Sequence, residues 1–291
     1  MSNTENRVKE LTKTIREFLK SGKMSAAEAA QLRGRLVFAN SQIFGKLGAM
    51  AYHYLGKRAH FAGPAKDLDA ELRWTLEWWV NHLAKTPARR VPLAEVRPPL
   101  VLFTDGSCEP DSKSECGVSA GYGACLYDPE DEAFEYFGAY IRPSLLQLLT
   151  IGGQKRQIVG QAEILPCLAA RIVWADRLRD RAVLHFVDND AARFALIKGS
   201  SPTTDSAWLT GQFWEEEASV GAFSWFERVP SPSNPADGPS RGVPPVAMIG
   251  KDGKSIEAKE VDLPLGFEAI VAAKWIPKLD TPKLVADMSG S

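Results

Sequence analysis

The chain has only four cysteines and four histidines in 291 residues, and neither set falls into a metal-binding pattern. Cys108, Cys116, Cys125 and Cys167 contain no C-x-x-C pair, and no histidine stands at a ligand-like interval from them. That excludes an ordinary zinc site. The sequence also lacks a run of about 18 apolar residues and a basic segment leading into an apolar one. A soluble, intracellular protein with free thiols and no membrane contact is expected, with nucleus and cytoplasm not distinguished. Oligomeric state is not legible.

Charge is scarce only in sum. The net of −1 averages residues 1 to 100, where 17 Lys and Arg face 9 Asp and Glu for a net of +8, and residues 101 to 291, which carry −9. Such asymmetry suits a basic region that meets a polyanion beside an acidic region that holds cations, or else two ordinary solvated surfaces. An apolar content of 45 %, with 24 % charged residues and eight Trp, belongs to a chain able to bury a core.

Its length allows two units. Residues 7 to 22 place Val8, Leu11, Ile15, Phe18 and Leu19 at helical intervals and end at Gly22. Ser25 and Glu28 form a capping-box pattern that opens a second helix, expected to run to about residue 55. Arg33, Arg35, Lys46, Lys57 and Arg58 decorate it, interleaved with Phe38, Phe44, Tyr52 and Tyr54. This suits contact with phosphate and base, or a core stripe with a solvated basic face. A third helix is expected from Asp67 to about Leu83, its tryptophans serving as packing. Prolines at 87, 92, 98 and 99 then break regular structure.

Beyond that boundary the pattern changes. Leu100 to Thr104 is an apolar run that ends at Asp105; Tyr122 to Asp128 and Ala133 to Ile141 flank a turn and read as a hairpin. A helix follows from Gln161 to about Leu178, then a strand from Ala182 to Val187 that ends at Asp188. Short helices at 191 to 198 and 207 to 218, a strand at 222 to 229 and a helical turn at 235 to 241 complete the order. Long loops are expected at about 108 to 120 and 142 to 160, and residues 243 to 291 carry no assignable structure.

Asp105 and Asp188 each close an apolar run, in LFTDGS and LHFVDND. Carboxylates at the ends of neighbouring strands stand about 4.8 Å apart, which is costly without a cation. Glu163 in GQAEIL and Asp237 in NPADGPSR would add two more hard oxygen donors. Asp237 is equally suited to capping its helix, and Asp190 is expected to cap the helix after Asp188. Four such carboxylates suit two Mg²⁺ or Mn²⁺ ions about 3.5 to 4 Å apart, acting on a phosphodiester.

The order TDGS, a helix containing AE, then VDN, then NPADGPSR resembles the ribonuclease H domain of retroelement reverse transcriptases. The resemblance implies an α/β fold with a five-stranded mixed sheet flanked by helices over residues 97 to 242. It also implies cleavage of RNA in RNA–DNA hybrids, with Asp105, Glu163, Asp188 and Asp237 as catalytic metal ligands. Ser107 and Arg241 would touch the nucleic acid, or else serve as surface residues.

Residues 1 to 85 form the expected all-helical subdomain and 86 to 96 a linker. The stretch KSGKMSAAEAAQLRGRLVFANSQIFGKLG is similar to the thumb or connection region of tyrosine-recombinase-type and related retroelements, which implies duplex contact by Arg33, Arg35 and Lys46. No polymerase palm, fingers or paired-aspartate motif precedes it, so no DNA synthesis is expected.

The sequence departs from the family in one respect. Many ribonucleases H carry a mobile histidine shortly before the last carboxylate, whereas none follows His185 here, which implies slow turnover. His185 itself is expected to pack inside its strand. Two alternatives stay open: a catalytically silent nucleic-acid-binding protein, and a DNA-cleaving enzyme on the same fold.

Overall fold

A computed structural model of the chain describes residues 2–60, 64–88, 97–150 and 157–274. The linker expected at 86 to 96 lies mostly outside the described residues. The chain divides into two compact units: Met1–Leu93 with Lys198–Ser201, and Ala94–Ile197 with Pro202–Ser291.

The first unit is helical, with one small β-ladder. Helix α1 spans Glu5–Ser21; Thr4 accepts from the Arg7 amide at its start, and Gly22 takes the left-handed conformation at its end. Strand β1 (Lys23–Met24) pairs antiparallel with β2 (Lys66–Asp67). Helix α2 (Ala26–Asn40) opens with the Ser25–Glu28 capping box that the sequence signals.

The long second helix expected to reach residue 55 is instead two. Turns at 41–48 separate α2 from α3 (Ala49–Ala59). The buried Asn40 side chain accepts from the Gly48 amide at 2.8 Å, a bond that folds the chain back on itself, and Gly45 adopts φ 56°. Helix α4 (Ala70–His82) is capped by Asp69, and Trp78 and Trp79 are buried in the unit's core, as the sequence suggests.

The second unit is built on a six-stranded mixed sheet. Strands β3 (Leu100–Pro110), β4 (Val118–Asp128) and β5 (Ala133–Tyr140) form an antiparallel meander. Strand β6 (Ala182–Val187) lies parallel to β3, and β7 (Phe223–Arg228) lies parallel to β6. Helix α5 (Pro143–Leu149) occupies part of the stretch expected to be a loop, with four leucines buried on one short helix; residues 151–156 lie outside the described residues. Next come α6 (Val159–Val173), α7 (Ala175–Leu178), α8 (Asp190–Lys198), α9 (Thr204–Val220) and the single turn α10 (Asp237–Ser240).

The sequence implies five strands; the sheet has six. Beyond α10 the chain forms a hairpin of β8 (Met248–Ile249) and β9 (Ser255–Ile256), then lays β10 (Lys259–Glu260) parallel to the outer edge of β5. Helix α11 (Phe267–Ala273) follows, and its Glu268 accepts from the Tyr122 hydroxyl and the Arg142 amide. Residues 243 to 274 therefore cover an edge that would otherwise expose unpaired backbone groups.

Helices α6 and α9 pack on one face of the sheet through Leu165, Leu168, Leu209 and Phe213, all essentially without solvent contact. Burying one such side chain contributes about 1.5 to 3 kcal/mol. Within this layer lies a polar network. Arg171 Nε donates to Glu217 at 2.5 Å, and Arg171 also reaches Ser224 and His185 Nδ1. His185 is fully buried; its Nδ1 faces the guanidinium donor, so Nε2 carries the proton and donates to Thr104 at 3.0 Å. The packing role expected of His185 is what the structure gives it.

Candidate metal centre

Side chains alternate along β3, and the alternation sorts the site. Thr104 and Gly106 face α6, where Thr104 lies 3.4 Å from Cys167 Sγ. Asp105 and Ser107 face α10, where both bond to Ser240: the Ser240 hydroxyl donates to Asp105 Oδ2 at 2.6 Å, and the Ser107 hydroxyl donates to the Ser240 carbonyl at 2.7 Å.

Helix α10 reaches this position because the sheet beneath it lacks side chains. Gly123 is the register partner of Asp105, and Gly138 is the partner of Gly123. A β-carbon at Gly123 would come within 2.5 Å of the Ser240 amide nitrogen, and one at Gly121 or Gly138 would overlap the Ser240 or Pro239 carbonyl. Three glycines thus make a seat for one helical turn. Asn234, just before it, donates to the Thr104 carbonyl at 3.0 Å and to Asp105 Oδ1 at 3.4 Å.

On the other face, Gly106 does for α6 what those glycines do for α10. A β-carbon there would lie 2.5 Å from the Ala162 carbonyl oxygen, so only glycine lets this turn of α6 approach. Glu163 comes with it, and the nearby Gly106 amide acts to hold its carboxyl down.

Asp105, Glu163 and Asp188 each offer an oxygen, and the three oxygens lie within 4.8 Å of one another. Asp105 and Glu163 are buried and Asp188 is half-buried. Burial pushes the Glu163 carboxyl up to about 9, helped by the charges of Asp105 and Asp188 and opposed by the Gly106 amide. Burial likewise raises Asp105 to about 6; the Ser240 hydroxyl opposes, while Asp188 and Asp237 push further up. Glu163 Oε2 and Asp188 Oδ1 are buried and have no hydrogen-bond partner among the described residues. Such orphaned acceptors are costly unless a cation takes them, and an all-oxygen set suits Mg²⁺ or Mn²⁺.

Asp237 is placed differently from the other three. It opens α10, with Ala236 at the cap position, and its Oδ1 accepts from Arg241 Nε at 3.1 Å. Arg241 also pairs with Glu109. Asp237 is therefore near the cluster, close enough to raise Asp105, but is not one of the converging three.

Other expected roles need correction. Ser107 is buried and its hydroxyl is committed to Ser240, so it acts as a strut between β3 and α10 and does not suit nucleic-acid contact. Asp190 does not cap α8: Asn189 does, accepting from the Ala192 amide at 3.0 Å, while Asp190 pairs with Arg193 at 2.8 Å. In the first unit Arg33 and Lys46 are exposed, whereas Arg35 is half-buried and donates to Thr14. Of the interleaved aromatic residues, Phe44 and Tyr54 belong to the core, and Phe38 is exposed beneath Arg7. Gly106, Asn234 and Ser240 were not singled out in the sequence; the motifs TDGS and NPADGPSR contain all three, without saying which neighbours orient the acids.

Three antiparallel strands, followed by two parallel ones added on the far side of the first, define the sheet; Asp105 lies midway along β3, where its apolar run predicts a strand end, and Asp188 directly follows β6. The second unit has a ribonuclease H-like fold. The chain is similar to RNase H1 from the halophilic archaeon Halobacterium salinarum, at 18 % identity and a TM-score of 0.37, covering 50 % of this chain and 96 % of that one. It is also similar to the N-terminal RNase H domain of a Mycobacterium tuberculosis protein, at 17 % identity and a TM-score of 0.38, covering 50 % and 91 %. Prototype foamy virus protease-reverse transcriptase matches at 14 % identity and a TM-score of 0.34, covering 56 % of this chain and 24 % of that one. No family model and no curated protein matches the chain. Strand order and direction, with the placement of the acids, carry the fold assignment.

Proposed function

We propose that the second unit is a divalent-metal-dependent endonuclease of the ribonuclease H type that hydrolyses the RNA strand of RNA–DNA hybrids. The observation that carries this reading is the convergence of Asp105, Glu163 and Asp188, with two buried oxygens that have no partner among the described residues and that a cation would satisfy.

Mg²⁺ or Mn²⁺ would be held by these three carboxylates, and when bound it supplies a polarised phosphoryl oxygen and a water of lowered pKa. The chain's own residues do the rest. Ser240 and Asn234 fix both oxygens of Asp105, and the close approach of α6 at Gly106 places Glu163, so the ligands are arranged before the ion arrives. With Glu163 raised to about 9, the bare cluster holds a proton at neutral pH, which the cation displaces. Asp237 is proposed as the fourth ligand, toward a second ion.

In the first unit the exposed Arg33 and Lys46 are proposed to contact the phosphate backbone of the duplex. A retroelement origin accounts for both this basic helical unit and the nuclease motifs.

The test is cleavage of a labelled RNA strand presented free, in duplex RNA and in an RNA–DNA hybrid, with Mg²⁺ or EDTA. Cutting confined to the hybrid and to Mg²⁺ supports the proposal. Cutting of the DNA strand assigns a different nuclease, and tight hybrid binding without cutting assigns a silent binding module.

A further inference from the structure

Arg241 sits between two carboxylates at the edge of the metal centre. Its Nε donates to Asp237 Oδ1 at 3.1 Å, and its Nη1 pairs with Glu109 at the far end of β3. Its backbone is held independently, because the Tyr140 hydroxyl donates to the Arg241 carbonyl at 3.1 Å and the Arg241 amide bonds to the Gly238 carbonyl at 2.9 Å. The guanidinium is thus anchored at its base and forked at its tip. Of the four acids proposed as metal ligands, the three that converge are those Arg241 does not touch.

We propose that Arg241 is a built-in competitor for the second cation, neutralising Asp237 until the phosphate backbone of the substrate draws the guanidinium away. This rests on the metal-nuclease reading above and adds to it a binding order. Asp105, Glu163 and Asp188 take one ion tightly by themselves. The second ion needs Asp237, and the guanidinium already supplies Asp237 with a positive partner. A phosphodiester accepts the same two-pronged donor. Substrate binding therefore frees Asp237, and by linkage the second ion and the nucleic acid strengthen each other. The side chains of Asp237 and Arg241 are about half exposed, at 52 % and 46 %, so their pair is solvated. A pair of this kind shifts an affinity about two- to fivefold, which makes it a competitor and not a lock.

The experiment counts bound Mn²⁺ by electron paramagnetic resonance of the free ion, on the full chain without nucleic acid. Wild type is expected to show one tight and one weak ion. Arg241→Gln should tighten the weak ion about two- to fivefold and leave the tight one within about twofold. Asp237→Asn should abolish the weak ion, and Asp188→Asn the tight one. Arg228→Gln removes a guanidinium that lies 4.0 Å from Asp190 and does not touch Asp237, so it controls for net charge. Equal effects of Arg241→Gln and Arg228→Gln on the weak ion, or no effect of either, overturn the proposal while the tight ion stands. Loss of no ion in Asp188→Asn overturns the metal-centre reading itself. Adding an uncleavable all-DNA duplex should tighten the weak ion in wild type and less so in Arg241→Gln; equal tightening rejects the binding order.

Discussion

Gly106 and Glu163 belong to different elements, a strand and a helix, yet a β-carbon on Gly106 would lie 2.4 Å from the Glu163 amide nitrogen, so nothing larger than glycine fits between them. Gly106→Ala should therefore push α6 off β3 and carry Glu163 away from Asp105. A loss of about 1 to 3 kcal/mol is expected from overpacking. Urea unfolding measures it, and Mn²⁺ titration should show a weaker tight ion. Wild-type stability and metal affinity in this variant would show that the approach of α6 is not what places Glu163.

Ser240 gives the second prediction. Its hydroxyl donates to the buried Asp105 carboxylate, and hydrogen bonds to charged groups contribute about 1.5 to 3 kcal/mol. Ser240→Ala should raise the Asp105 carboxyl further above its value of about 6. The acidic limb of the pH–rate profile should then move to higher pH, with little change in hybrid affinity. An unmoved limb would remove Ser240 from the orientation of the metal ligands.

The raised carboxyls also make stability depend on pH. In the unfolded chain Asp and Glu ionise near pH 4, whereas in the fold Asp105 does so at about 6 and Glu163 at about 9. Between these values the folded state binds more protons than the unfolded one. Stability without divalent ions should therefore be highest near pH 4 as far as these two groups contribute, and fall as pH rises toward 9. Mg²⁺ binds the folded form and should restore more stability at pH 8 than at pH 5. Glu163→Gln should flatten the EDTA profile; an equally steep fall in that variant would contradict the assignment.

The Arg171–Glu217 pair is wholly buried. Glu217→Ala leaves the guanidinium without its carboxylate in the core, which should cost about 3 to 5 kcal/mol. Denaturant midpoints report the loss, and replacing both residues by apolar ones of similar size should recover most of it. A mild single-variant effect would mean that Ser224 and His185 suffice to hold Arg171.

Much of this fold was legible in the sequence because apolar alternation and polar termination coincide. Asp188 directly follows the last residue of β6, and Gly22 and the Ser25–Glu28 box mark helix ends, whereas the apolar run that stops at Asp105 marks no strand end, because β3 continues to Pro110 in register with β4. What was not legible depends on partners distant in sequence. The break between α2 and α3 comes from a bond between Asn40 and Gly48 inside a run that keeps helical periodicity. Strand β10 is two residues long and gains its place only from β5. Ser240 and Asn234 look like turn residues until α10 is seated on the glycines of β4 and β5. Asp237 shares its motif with them, and the sequence has no means of showing that Arg241, one turn later, holds its carboxylate.

The most direct test of the central claim is hybrid cleavage by wild type and Asp188→Asn, measured side by side with hybrid binding in EDTA. Metal-dependent cutting by wild type, its loss in the variant and equal binding by both are the predicted results. Undiminished cutting by Asp188→Asn would show that the catalytic cation is not held by Asp105, Glu163 and Asp188.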